Sequence, residues 1–228
     1  MLTHPGWSAL PGIRHGFLDR ADCGPPATGD AWDAVLAAVG VPLPVCTVRQ
    51  VHGTRVVTAD RQRETPEADG VATSAPGVAV GVVTADCVPA LMLARECGVV
   101  ASVHAGWRGA AAGVLEAAVA HLGSGFGVRP QDVEVCLGPA VGPCCYRVGS
   151  EVRAAFRART GDLTAPVWRE TGDALMLDLR LAERRLLEAA GVGHVSLLGP
   201  CTACMPSYAS YRRDGPGAGR QLSFIART

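Results

Sequence analysis

Three residues far apart in the chain, His52, Cys87 and His104, carry side chains that together could hold a metal ion. Neutral imidazole and thiolate are good zinc ligands. Three protein ligands leave a fourth position open for water, phosphate or substrate, which is the pattern of catalytic and not of structural zinc. Taken singly, each residue has an ordinary reading, because a strand-end His is usually hydrogen-bonded at the surface and a Cys is usually small core filler. The same side chains also suit a metal-free hydrolase, with Cys87 as nucleophile and His104 or His52 as its base. A further option is a binding protein in which a metal only fixes the fold. Spacing alone leaves these options open.

The elements around the three residues place them at strand ends. Val45 to Val51 and Arg55 to Thr58 read as strands flanking a turn at His52-Gly53, after a short helix from Asp30 through Val39 that Gly40 ends. The apolar, β-branched run Val78 to Thr84 reads as a buried strand leading to Ala85-Asp86-Cys87, and Val99 to Val103 as another leading to His104. A turn at Ala105 to Gly109 then enters a helix over Ala110 to Leu122. Strand Val133 to Leu137, a helix from about Ser150, a stronger helix over Leu179 to Ala190, strand Val195 to Leu198 and a polar C-terminal segment complete the pattern. Strands alternating with helices, with some hairpins, imply an α+β or mixed α/β fold in one domain spanning 1–228.

Bulk composition narrows the function. A chain of 228 residues with 48% hydrophobic and 18% charged content can bury a large core. Its formal net charge of zero removes the broad attraction on which nucleic-acid binding relies. All 21 basic residues are Arg, so internal Schiff-base chemistry and a P-loop lysine are excluded, and anions must be met by Arg, main-chain N–H groups or metal. The N-terminal Met1 to Trp7 lacks a basic region and an apolar run, and no later apolar stretch has membrane-spanning length, so a cytoplasmic location with no membrane partner is expected. Nine cysteines, an odd number, fit a disulfide framework poorly.

The segments around the three residues carry a resemblance. Gln50-Val51-His52-Gly53, Thr84-Ala85-Asp86-Cys87-Val88-Pro89 and His104-Ala105-Gly106-Trp107-Arg108-Gly109 occur in this order. They are followed by Gly138 to Tyr146, Cys201-Thr202-Ala203-Cys204, Ser210-Tyr211-Arg212-Arg213 and Gly219-Arg220. This set resembles the laccase-domain (YfiH-like) family, also called peptidoglycan editing factor or polyphenol oxidase proteins, over most of the chain from about Val48.

The resemblance implies a layered α/β/β/α fold with mixed sheets and one zinc on His52, Cys87 and His104. It also implies a purine nucleoside phosphorylase acting on adenosine, inosine and methylthioadenosine with phosphate, with adenosine deaminase activity; the sequence leaves monomer and homodimer both open. A metal that activates water and orients phosphate serves both reactions. Phosphate needs cations, for which Arg49, Arg108, Arg212 and Arg213 are the candidates. Asp86, beside Cys87, is a candidate proton acceptor or a partner orienting a ligand His. Gln50 and Asp69 have weaker cases, as polar groups satisfying nearby backbone. Tyr146, Tyr208 and Tyr211 are the candidates for stacking on a purine.

Copper is the alternative metal, since His and Cys would accept it. Against a multicopper oxidase, none of His4, His15, His52, His104, His121 and His194 forms a His-x-His pair. Cys144 and Cys145 have no neighbouring charge to activate them, and Cys201 and Cys204 have metal-knuckle spacing without a second pair nearby in sequence, so both pairs read as structural or, for the second, as a switchable disulfide. Two features depart from the family pattern. Arg147 stands where relatives commonly have an acidic residue, and the stretch from Phe17 to Val45 is short.

Overall fold

A computed structural model of the chain describes residues 1–23, 32–59, 65–161 and 166–228. In chain order the elements are α1 (Pro5–Ser8), β1 (Ile13–Phe17), α2 (Arg20–Cys23), α3 (Asp33–Ala38), β2 (Val56–Thr58), β3 (Gly70–Thr73), β4 (Val78–Thr84), β5 (Val88–Ala94) and β6 (Val99–Ala105). There follow α4 (Trp107–Ala112), α5 (Val114–Phe126), β7 (Glu134–Leu137), β8 (Arg147–Val148), α6 (Ser150–Thr160), β9 (Trp168–Thr171), β10 (Ala174–Leu177), α7 (Leu179–Ala189), β11 (His194–Leu197), α8 (Tyr211–Asp214) and β12 (Gln221–Arg227).

A six-stranded mixed sheet in the order β11-β7-β5-β6-β3-β2 forms the centre, with parallel pairing at both margins and antiparallel pairing inside. A three-stranded antiparallel sheet, β1-β12-β4, packs against one face of it. Strand periodicity explains the layering. In β5, Val88, Ala90, Met92 and Ala94 face the helices α4 to α7, while Leu91 and Leu93 meet Val80 of β4 and Ile225 of β12 between the sheets. In β12, Leu222, Phe224 and Ala226 turn outward onto Leu36 of α3. The result is the expected α/β/β/α stack with mixed sheets. A small third sheet, β8-β10-β9, joins the helical side. Among the described residues no helix is long and apolar enough to cross a membrane.

Several local expectations change. Val45 to Val51 is not a strand, because the segment crosses between sheets: Cys46 bridges Val80 of β4, whereas Arg49 bridges Glu67. The helix expected over Ala110 to Leu122 is two helices divided at Gly113, whose φ of 93° only glycine adopts freely. The C-terminal segment is not merely polar. It ends in β12, the central strand of the small sheet, where Gln221 to Ala226 are buried. Strand β5 was hidden by Pro89, a residue that ordinarily argues against a central strand. The cap expected at Asp30 lies outside the described residues; the helix ends at Ala38, with Val39 as its cap and Gly40, at φ of 72°, just beyond.

Candidate metal centre and its pocket

Each of the three candidate ligands is delivered by a different backbone device. His104 is the penultimate residue of β6. Val103 and Ala105 on either side of it point into the helical layer, so strand alternation turns His104 to the opposite face. Cys87 lies in the crossover where the chain leaves β4 in the small sheet and enters β5 in the large one. His52 lies in the turn before β2 and not at a strand end. His52 and Asp86 have φ of 60° and 88°, and they are the two non-glycine residues at positive φ among those described. Such left-handed geometry is strained for ordinary residues and persists where surrounding bonds hold it.

The donor atoms of His52, Cys87 and His104 all lie within 4.8 Å of one another. Cys87 Sγ is 4.0 Å from His52 Nε2, and the two imidazole rings meet edge-on with centroids 4.7 Å apart.

Asp69, whose case from sequence is only that of a polar group satisfying nearby backbone, organises this cluster. Its side chain is fully buried, and Oδ1 lies 2.8 Å from His104 Nδ1. The carboxylate can only accept, so Nδ1 carries the proton and Nε2 is left as a free donor to a metal. The same carboxylate accepts the backbone N–H of His52 at 2.9 Å, of Gly53 at 2.7 Å and of Val51 at 3.3 Å. One buried anion thereby sets the ring of His104 and the strained turn bearing His52. Gln50 ties the segment leading into this turn to β4: its side-chain amide donates to Val83 O at 2.7 Å and accepts from Val83 N at 2.8 Å, as a strand partner would.

Charge is distributed accordingly. Burial alone would raise the Cys87 thiol, but hydrogen bonds and positive charge from His104 and His52 outweigh it and bring the group to about 6. Burial alone would lower His104, but its bonds to Asp69 and Cys87 raise it to about 9. Asp69 is pushed up by burial and pulled further down by His104 and the N–H groups of Gly53 and His52.

The donor set fits a small divalent ion. Two imidazole nitrogens and a thiolate around one tetrahedral zinc stand about 3.3–3.6 Å apart, a modest contraction from the separations found here. Room for that contraction exists because residue 106 is glycine: a Cβ there would lie 2.6 Å from His52 Cδ2 and 3.1 Å from Cys87 Sγ.

The cluster opens into a cavity of about 590 Å³ lined by Arg108, Arg212, Arg220, Trp107, Tyr146 and Tyr211 among others. Arg108 stacks on Trp107 at 4.4 Å and Arg212 on Tyr146 at 5.3 Å. Of the candidate phosphate ligands, Arg108 and Arg212 are therefore at the pocket and two others are not. Arg49 pairs with Glu67 at 2.7 Å on the exposed surface. Arg213 points its guanidinium at the carbonyls of Thr202, Met205 and Tyr208 and at Asp214, so it is spent on its own loop. Tyr208 is buried away from the cavity. Arg220, which the sequence offers only as part of a motif, lines the cavity from the position just before β12.

Asp86 lines the cavity but orients no histidine. Its Oδ1 accepts the Thr202 hydroxyl at 2.6 Å and Oδ2 the backbone N–H of Arg212 at 2.6 Å, so it ties the crossover to the segment carrying Arg212. The orienting role proposed for it belongs to Asp69.

The fold and site define a class: a layered α/β/β/α protein with a two-histidine, one-cysteine cluster at the floor of an arginine-edged cavity. The chain belongs to the family described as multi-copper polyphenol oxidoreductase laccase, whose model matches residues 25–228. It is similar to the purine nucleoside phosphorylase YlmD of Geobacillus stearothermophilus, 38% identical over 192 residues that cover 78% of this chain and 70% of that one. A purine nucleoside phosphorylase of Pseudomonas aeruginosa is 45% identical over 178 residues, covering 77% and 71%. The crystal structure of the Geobacillus YlmD superposes with a TM-score of 0.86 at 31% identity, covering 98% of this chain and 94% of that one.

Proposed function

We propose that this chain is a zinc-dependent purine nucleoside phosphorylase, acting on adenosine, inosine and methylthioadenosine with phosphate and also deaminating adenosine. The observation that carries the reading is the convergence of His52, Cys87 and His104 beside a cavity that holds three guanidinium groups and three aromatic side chains. The names of its relatives point the same way.

His52, Cys87 and His104 would hold the metal, with Asp69 keeping His104 in the tautomer that presents Nε2. Bound there, zinc would supply Lewis acidity to an oxygen nucleophile. Arg108, Arg212 and Arg220 are assigned to phosphate, for which the forked guanidinium is suited. Tyr146, Tyr211 and Trp107 offer the flat apolar surface that a purine requires. Asp86 keeps carboxylate lone pairs available toward the cavity and is assigned to accept a proton or hydrogen bond from the substrate. Copper would also be accepted by these donors. Zinc is assigned because neither reaction moves electrons.

Incubating the purified chain with adenosine, with and without phosphate, tests this directly. Adenine should form only when phosphate is present, and inosine in either case. A chelator should stop both reactions and Zn²⁺ should restore them. Failure of the zinc-loaded chain to convert any of the three nucleosides would reject the assignment.

One observation favours a second reading. Buried Asp69 and His104 form with the half-buried Cys87 a carboxylate–imidazole–thiol series, the arrangement of a metal-free cysteine hydrolase. Such an enzyme would be blocked by alkylation and indifferent to chelation.

A further inference from the structure

Four cysteines outside the pocket also converge. Cys144 and Cys145 lie in the loop after β7, and Cys201 and Cys204 in the loop after β11. The sequence offers Cys201 and Cys204 as a knuckle without a matching pair, and the fold supplies that pair. Ala140 and Cys201 form a parallel bridge, with Thr202 N donating to Ala140 O at 3.0 Å, so the two loops run side by side.

All four Sγ atoms lie within 4.8 Å of one another, with Cys204 at 3.5 Å from Cys144 and 3.4 Å from Cys145. These separations are far longer than the roughly 2.05 Å of a disulfide. They are close to the roughly 3.8 Å edge of a tetrahedron of sulfurs each about 2.3 Å from one zinc. The surroundings of Cys201 suit a thiolate. Gly142 N donates to Cys201 Sγ at 3.1 Å, and a Cβ on Gly142 would lie 3.1 Å from Cys201 Cβ, so glycine gives the sulfur both a donor and space. Arg213 donates to the carbonyls of Thr202 at 3.0 Å and Met205 at 3.2 Å, on either side of Cys204, and so braces the second loop.

We propose that Cys144, Cys145, Cys201 and Cys204 bind one zinc ion in a closed tetrahedral site that fastens the loop after β7 to the loop after β11. Four thiols release four protons and take up one Zn²⁺, leaving a group of net charge −2. With four protein ligands no position is open, so this zinc is structural. The sulfurs lie too close together for an iron–sulfur cluster, whose cysteine pairs sit on separate irons. The site supports the pocket wall: Thr202, inside the knuckle, donates to Asp86, and Tyr146 follows Cys145.

Metal content and thiol state of the full chain, expressed with zinc in the medium and purified without reductant, test the proposal. It stands independently of the pocket chemistry, because His104→Ala removes a pocket donor and keeps all four cysteines. That variant should retain one zinc per chain, show four sulfur neighbours by X-ray absorption, and release the zinc as a mercurial caps the thiols. Adding Cys201→Ser and Cys204→Ser should abolish the remaining zinc. Loss of all zinc in His104→Ala, iron in its place, a disulfide among these cysteines, or zinc unchanged by the serine substitutions would overturn the site. Should the serine variant fail to fold, the absorption and mercurial measurements decide on the intact cysteines.

Discussion

Asp69 Oδ1 and His104 Nδ1 lie 2.8 Å apart, both residues buried, and the same carboxylate takes three backbone N–H groups from the turn that carries His52. The positions of both histidines thus depend on one anion.

Asp69→Asn tests that dependence. The amide nitrogen must face a donor wherever it turns. If it faces His104, it donates to Nδ1 and forces the proton onto Nε2, the atom needed for the metal. Loss of an orienting partner of this kind typically weakens metal affinity about 10–100-fold. Competition with a chromophoric chelator measures the change. Affinity equal to that of the parent chain would show that Asp69 does not control the tautomer.

Gly106→Ala addresses the space around the donors. The added Cβ would stand 2.6 Å from His52 Cδ2 and 3.1 Å from Cys87 Sγ, so His52 must move. Overpacking of this sort costs about 1–3 kcal/mol. The expected result is a folded chain, by circular dichroism, whose metal bound at His52, Cys87 and His104 is lost. Full metal content would mean that the turn yields without displacing His52.

The three cluster residues were legible as candidates from residue type and small neighbours, and as one metal set only through the family resemblance; the strand-end context expected for His52 does not hold. Asp69 was not legible, because an Asp beside glycine satisfies local backbone in most proteins and nothing in its spacing shows that the backbone it serves belongs to His52. Strands β4, β6 and β7 were legible from apolar β-branched runs, whereas Pro89 concealed β5. The polar residues before β12 concealed the C-terminal strand, and with it the place of Arg220. Arg49 illustrates the converse error, since one position away from Gln50 along an extended segment turns the side chain to the opposite face and onto Glu67.

The pH response of Cys87 follows from the local charges. In the metal-free chain its thiol is held at about 6, against an ordinary 9.0, and His104 is held at about 9, against an ordinary 6.5. A lowered thiol contributes stability that is present above its unfolded value and lost as pH falls through about 6. A raised imidazole contributes stability that is present below its unfolded value and lost as pH rises through about 9. The thiolate–imidazolium pair therefore exists between those limits. Alkylation of Cys87, followed by peptide mass spectrometry, should rise with a midpoint near 6 and be suppressed by zinc. A midpoint near 9, the ordinary thiol value, would mean that the histidines do not act on the sulfur.

Arg212 and Arg49 should behave oppositely in phosphorolysis. Arg212 edges the cavity over Tyr146 at 5.3 Å, and its link to Asp86 runs through the backbone N–H, which survives a change of side chain. Arg212→Met therefore removes the guanidinium while leaving that link and much of the apolar contact with Tyr146. A hydrogen bond to a charged group is worth about 1.5–3 kcal/mol, so the KM for phosphate should rise about 10–100-fold. Arg49 is exposed and paired with Glu67, an arrangement worth at most about 1 kcal/mol to stability and remote from the cavity. Arg49→Ala should leave the phosphate KM within about twofold of the parent, as expected for an exposed surface ion pair. Initial rates at varied phosphate and saturating nucleoside separate the two. An unchanged KM in Arg212→Met would move phosphate recognition to Arg108 and Arg220, the remaining guanidinium groups at the cavity.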